Sequence, residues 1–124
     1  MARTFLILGS AAFFAIAVAT TGLADPAIDK NTSCSAVVGY LDRKDTPHAQ
    51  EAYRVAKQLM ADLDAASTGK GQTSLLAPLT PEHAEDVYIL VLESCRDYPQ
   101  QTLGKTAADT YDGLRDLRDH PASR

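Results

Sequence analysis

The residues of this 124-residue chain whose types could do chemistry are two cysteines, three histidines and a ladder of aspartates near the C-terminus. Cys34 and Cys95 lie too far apart for a C-x-x-C redox pair, and two cysteines allow one intramolecular pairing. His48, His83 and His120 are well separated, and none has a His, Cys or Glu partner at the i+4 step of a helical zinc motif. His48 and His83 each follow a Thr-Pro pair, which reads as the exposed first turn of a helix. Gly69-Lys70-Gly71 lacks the strand and spacing of a phosphate loop. No nucleophile stands beside a base, so the expectation is a non-enzyme without metal or cofactor. Asp109, Asp112, Asp116 and Asp119 recur at steps of three, four and three, forming one helical stripe. Arg115 and Arg118 lie within pairing reach, for example Asp112 with Arg115. The chemistry of such a stripe is titration: acid neutralises the carboxylates and leaves cations that repel one another.

Elements must position these groups, and the first of them is a leader. Arg3 is followed by an apolar run from Phe5 to Ala19, and Gly22-Leu23-Ala24 supplies small residues at a cleavage site. That order marks residues 1–24 as a signal peptide cut after Ala24, leaving a mature domain of residues 25–124. A second site after Ala19 is an alternative, and the run is short for an uncleaved bilayer span. All 3 Phe lie in the leader, so the mature chain has neither Phe nor Trp and its aromatics are 5 Tyr. Removing Arg3 from the 12 basic residues leaves 11 against 16 acids, a mature net charge of −5. Nucleic acid is excluded as a partner for want of a basic patch, and no membrane contact is expected after cleavage. Export places the cysteines in an oxidising compartment. An intramolecular Cys34–Cys95 bridge is therefore expected over free thiols or an intermolecular bond, stabilising a small core by about 4 kcal/mol.

Residues 25–31 carry no period and read as a loose arm. Thr32 or Ser33 caps a short helix through Asp42. Thr46 and Pro47 then open a longer one, with Ala52, Val55, Ala56, Leu59, Met60 and Leu63 as its apolar stripe to about Ala66. Gly69 is the expected C′ residue, and Leu75, Leu76 and Leu79 form a short apolar linker tucked against the core. Thr80 and Pro81 start a third helix buried through Ala84, Val87, Tyr88, Val91, Leu92 and Cys95. Leu103, Ala107, Thr110, Leu114 and Leu117 predict a fourth, weakened by Gly104 and Gly113. No stretch alternates with period two. The fold class is all-α: a small single-domain bundle of about four helices closed by one disulfide.

Around the second cysteine the residues become specific. Val91-Leu92-Glu93-Ser94-Cys95-Arg96-Asp97-Tyr98-Pro99-Gln100-Gln101-Thr102-Leu103 resembles the second-cysteine segment of the HdeA/HdeB family of periplasmic acid-stress chaperones. Asn31-Thr32-Ser33-Cys34 with Val37, Val38 and Tyr40 resembles that family's first-cysteine helix. Two departures stand out: Ser33 and Val38 occupy places where Trp or Phe is often found, and the stretch between the cysteines looks longer. The resemblance implies a helical homodimer at neutral pH that loosens in acid, exposes apolar surface and holds unfolded periplasmic proteins. It brings no catalytic residues. On physical grounds Val55, Leu59, Met60 and Leu63 are nominated as the client or dimer surface, and Asp109, Asp112, Asp116 and Asp119 as the acid-titrating groups. The rival expectation is a small periplasmic binding or immunity-type protein that blocks a partner without acid activation.

Overall fold

A computed structural model describes residues 27–120, so the expected leader and the cleavage expected after Ala24 lie outside the described residues. Among the described residues the chain forms four helices and no strand: α1 (Cys34–Asp42), α2 (Thr46–Gly69), α3 (Pro81–Ser94) and α4 (Leu103–Asp119). None is long and apolar enough to cross a membrane. Each N-terminus has a side-chain cap of the type that satisfies orphaned amides. Ser33, Thr80 and Thr102 accept from the amides of Ala36, His83 and Lys105. In α2 the cap is Asp45, not Thr46, because its carboxylate accepts from the His48 amide and also bonds the His48 ring at 2.7 Å. A hydroxyl at position 46 offers no equivalent pair of bonds. The helix also runs past Ala66 to Gly69, and the left-handed turn falls at Gly71, with φ at 90°.

Cys34 and Cys95 are joined, and both are fully buried. The bond ties the start of α1 to the end of α3. Around it pack Val37, Ala52, Ala56, Met60, Val91, Leu103 and Ala107, all without exposure. Small and branched side chains let four helices approach closely, while Tyr53 and Tyr88 meet edge to face at 5.9 Å. The segment before α1 is not loose. Ile28 is buried, and backbone bonds zip this arm to the entry of α4: Leu103 N–H to the Thr32 carbonyl, Gly104 N–H to Lys30, Cys34 N–H to Gln101. An aperiodic sequence gives no warning of such pairing, because backbone amides rather than side chains make it.

The buried face of α4 is rotated from the expected one. Leu103, Thr106, Ala107, Tyr111 and Arg115 point inward, while Thr110 and Leu114 are half-buried and Leu117 is 45% exposed. An arginine and a tyrosine displace leucines from the interior because their polar ends find buried partners there.

Gly104 and Gly113 separate two effects that sequence alone merges. A Cβ at Gly104 would stand 3.0 Å from the Lys30 carbonyl oxygen, whereas one at Gly113 meets nothing within 4 Å. Gly113→Ala should therefore stabilise the protein by about 0.5–1 kcal/mol. Gly104→Ala should give no such gain, and chemical denaturation of the two variants side by side checks the contrast. Replacing both cysteines by Ala should cost about 4 kcal/mol, read as a lower denaturation midpoint.

Candidate functional site

One polar cluster lies inside this apolar bundle, and it is built around Asp64, the last buried residue of α2. Asp64 continues the Ala52–Val55–Ala56–Met60 face by one turn, so helical geometry carries a carboxylate inward where a leucine would ordinarily sit. It is 8% exposed. Oδ1 accepts from the Leu75 amide at 2.8 Å and from the Tyr111 hydroxyl at 2.7 Å. Oδ2 accepts from the Ser74 hydroxyl and the Leu76 amide. Arg115 lies 3.7 Å away and donates to the Tyr111 hydroxyl and to the Thr73 carbonyl. Arg118 donates to the Ser74 carbonyl at 2.9 Å.

Together these bonds grip one short segment from two sides. The segment from Thr73 to Leu79 forms neither helix nor strand. Asp64 takes its donors, and the two arginines of α4 take its carbonyls. An irregular apolar strap with unpaired backbone would be costly to hold against a core, and this clamp satisfies it. Burial pushes the Asp64 carboxyl up, but the hydrogen bonds from Ser74, Tyr111 and the two amides outweigh that. The result is a carboxyl held below the ordinary value of 3.8. The Tyr111 hydroxyl, accepting from Arg115, raises the guanidinium's already high value.

The strap walls a cleft of about 350 Å³. Leu75, Pro78 and Leu79 form one side, and Val87 of α3 with Leu114 and Leu117 of α4 form the other. A second pair of clefts, about 410 and 390 Å³, runs along α2 beneath the arm and includes Val55, Leu59 and Leu63.

The residues singled out in the sequence fall into different places. Leu59 and Leu63 line the α2 clefts, Val55 is nearly buried, and Met60 is wholly core. The aspartate stripe is exposed and its members do not act together. Asp109 pairs with Lys105, Asp116 with His120, and Asp119 with Arg118. Asp112 does not pair with Arg115, which is turned inward to Asp64. Among the histidines, His48 stacks on Tyr40 at 4.5 Å and bonds Asp45, while His83 is exposed. The Asp64 cluster went unread because an aspartate at a core position looks like the polar edge of a stripe. The available signal was its spacing, four residues after Met60. No family model matches the chain, and no curated protein and no solved structure matches it either.

Removing the Tyr111 hydroxyl takes a donor from Asp64 and an acceptor from Arg115 together. Tyr111→Phe should therefore lower stability by about 1–2 kcal/mol with helix content unchanged, as thermal unfolding followed by circular dichroism would show.

Proposed function

We propose that this protein is a non-enzymatic holdase of the periplasm that acid activates, in keeping with its resemblance to the HdeA/HdeB family. The observation that carries the reading is Asp64, a buried carboxylate that fastens an apolar strap and is held below the ordinary carboxyl value. The direction of the effect follows from linkage. A carboxyl with a depressed folded value adds stability above the unfolded value of 3.8, and that stability is lost as pH falls through the folded value. Neutral pH therefore keeps the strap shut and strong acid releases it. Protonation also leaves Arg115 buried beside a neutral acid, with its Nε already lacking a partner. The Cys34–Cys95 bond does not titrate, so the chain stays closed around its centre and can refold when acid is withdrawn. Loosening would expose Leu75, Leu76 and Leu79 to unfolded periplasmic clients, and the homodimer expected at neutral pH would be weakened at the same time.

The reading is tested by bringing the purified mature domain to about pH 2–3 with an aggregation-prone client and following light scattering. Suppressed scattering in acid, absent at neutral pH, supports it; scattering equal to that of the client alone refutes it. The open α2 clefts lined by Leu59 and Leu63 favour a second reading, a binding or immunity-type protein that needs no acid. Tight stoichiometric capture of a partner at neutral pH distinguishes it. A direct check on the switch itself uses Asp64→Asn. The variant should be less stable than the parent at neutral pH by about 2 kcal/mol. That difference should shrink as pH falls below 3.8 in urea titrations.

A further inference from the structure

We propose that the larger cleft along α2 is a binding site for a free fatty acid of medium length, an unbranched alkyl chain ending in one carboxylate. The alkyl chain lies over Leu59, Leu63 and Ala66, and the carboxylate meets Lys30 and Asn31. The site needs no acid activation, and it stands or falls apart from the holdase reading.

Two walls of different kinds make the cleft. Leu59, Leu63 and Ala66 follow one another on α2 at steps of four and three, and so form an apolar line about 10 Å long. Opposite lie the arm, with Lys30 and Asn31, and the entry of α4, with Thr102, Gly104 and Lys105. The Leu103 and Gly104 amides donate to the Thr32 and Lys30 carbonyls and hold the arm in place. Gly104 is needed for that approach, since a Cβ there would stand 3.0 Å from both the carbonyl oxygen and the Cβ of Lys30. The cleft is therefore part of the bundle itself, and its volume of about 410 Å³ falls in the range of small-molecule sites. A narrow apolar line suits one alkyl chain. It suits an extended polypeptide poorly, because the arm has little backbone left to pair with one. Its Lys30 and Thr32 carbonyls are bonded to α4, and its Asn31 and Thr32 amides are bonded to Asp29.

Charge places the head group. Lys30, Asp62 and Lys105 are the charged side chains of this cleft, and Asp29 and Arg54 join Lys30 at the neighbouring one. Lys105 pairs with Asp109, and Arg54 with Glu51. Asp62 accepts from the Gln58 side chain, and Asp29 from the Asn31 amide, so both keep their charge. Among the described residues no carboxylate pairs with Lys30, and Lys30 and Asn31 stand exposed where the two clefts meet. An ammonium and a side-chain amide at one point are donors for a carboxylate. One unpaired cation between two acids answers a single negative charge and opposes a second, which favours a carboxylate over a phosphate-bearing lipid.

The test titrates decanoate into the purified protein at neutral pH, with the heat of binding and amide NMR shifts as readouts. Decanoate should saturate a single site and shift the amides of Lys30, Asn31, Leu59 and Leu63. Shorter carboxylates should bind about fourfold more weakly for each CH2 removed. Lys30→Glu, at an exposed position, should weaken decanoate binding at least about tenfold and favour decyltrimethylammonium instead. Leu63→Asp should abolish binding, while Ile89→Asp on the exposed face of α3 should leave it unchanged. Circular dichroism verifies folding, and Ala66→Asp, at an exposed position, takes the place of Leu63→Asp should that variant fail to fold. Absence of saturable binding overturns the inference, and so does equal binding by the wild type, Lys30→Glu and Leu63→Asp. Sedimentation of the same samples tests the other occupants. A wild-type dimer that Leu63→Asp splits into monomers makes the cleft an interface between copies and overturns the inference. Acid client protection lost in Leu63→Asp, with no decanoate bound by the wild type, makes it a client surface and overturns the inference while the holdase reading stands.

Discussion

The Cys34–Cys95 bond is the constraint around which the bundle is arranged. It joins two fully buried positions separated by 61 residues, and so fixes the start of α1 against the end of α3. Once those ends are fixed, the arm before α1 lies alongside the entry of α4, and the amide bonds of Cys34, Leu103 and Gly104 follow. Thr106 packs its hydroxyl 3.2 Å from the Cys34 sulfur and donates onward to Gln101, which seats α4 against the same centre. Beside the two cysteines, a core of three Val, three Ala, three Leu, two Tyr, one Ile and one Met is small for four helices. Covalent closure offsets what larger side chains would otherwise contribute.

The opposite end of the bundle has no such bond, and a charged group takes its place. Asp64 is there for the geometry of the strap, since apolar side chains cannot satisfy the amides of Leu75 and Leu76. A buried pair of this kind adds little net stability compared with a well-packed apolar substitute. Its consequence is conditional stability: the end held by carbon and sulfur is indifferent to pH, and the end held by a carboxylate is not. Surface pairs such as Glu51–Arg54 and Asp109–Lys105 lie in solvent and are worth little in either direction. Asp45, the half-buried cap of α2, shares a lowered carboxyl value with Asp64 through its bonds to His48, but of the two only Asp64 fastens the strap.

How much of this was legible in the sequence divides along physical lines. Helix periods, the Thr80-Pro81 start and the pairing of two cysteines are local or combinatorial signals, and the helices of the bundle follow from them. The cap of α2 was misplaced by one residue because Asp45 and Thr46 are both good caps, and only the His48 contact decides between them. The face of α4 was misread because hydropathy treats Tyr111 and Arg115 as outward residues. Their burial depends on Asp64, 47 residues from Tyr111, and no local pattern carries that distance. The nominated α2 stripe falls into two environments for the same reason. Periodicity finds an apolar face, but Met60 and Leu63 share it while one is core and the other lines a cleft.

On the proposed holdase reading, the two anchors would let loosening and recovery belong to one molecule. If the strap were fastened by apolar contacts alone, nothing in acid would release it short of general unfolding. If the centre of the bundle were fastened by carboxylates, acid would dismantle it along with the strap. The chain instead joins its first and third helices covalently and holds the strap over Asp64 by hydrogen bonds that need an ionised oxygen. Depression of that carboxyl below 3.8 means that, on this reading, only strong acid would release the strap. The hydrogen bonds that make the strap secure at neutral pH are the cause of that depression. A tighter clamp would shift release to still lower pH, so security and sensitivity are set by one and the same network.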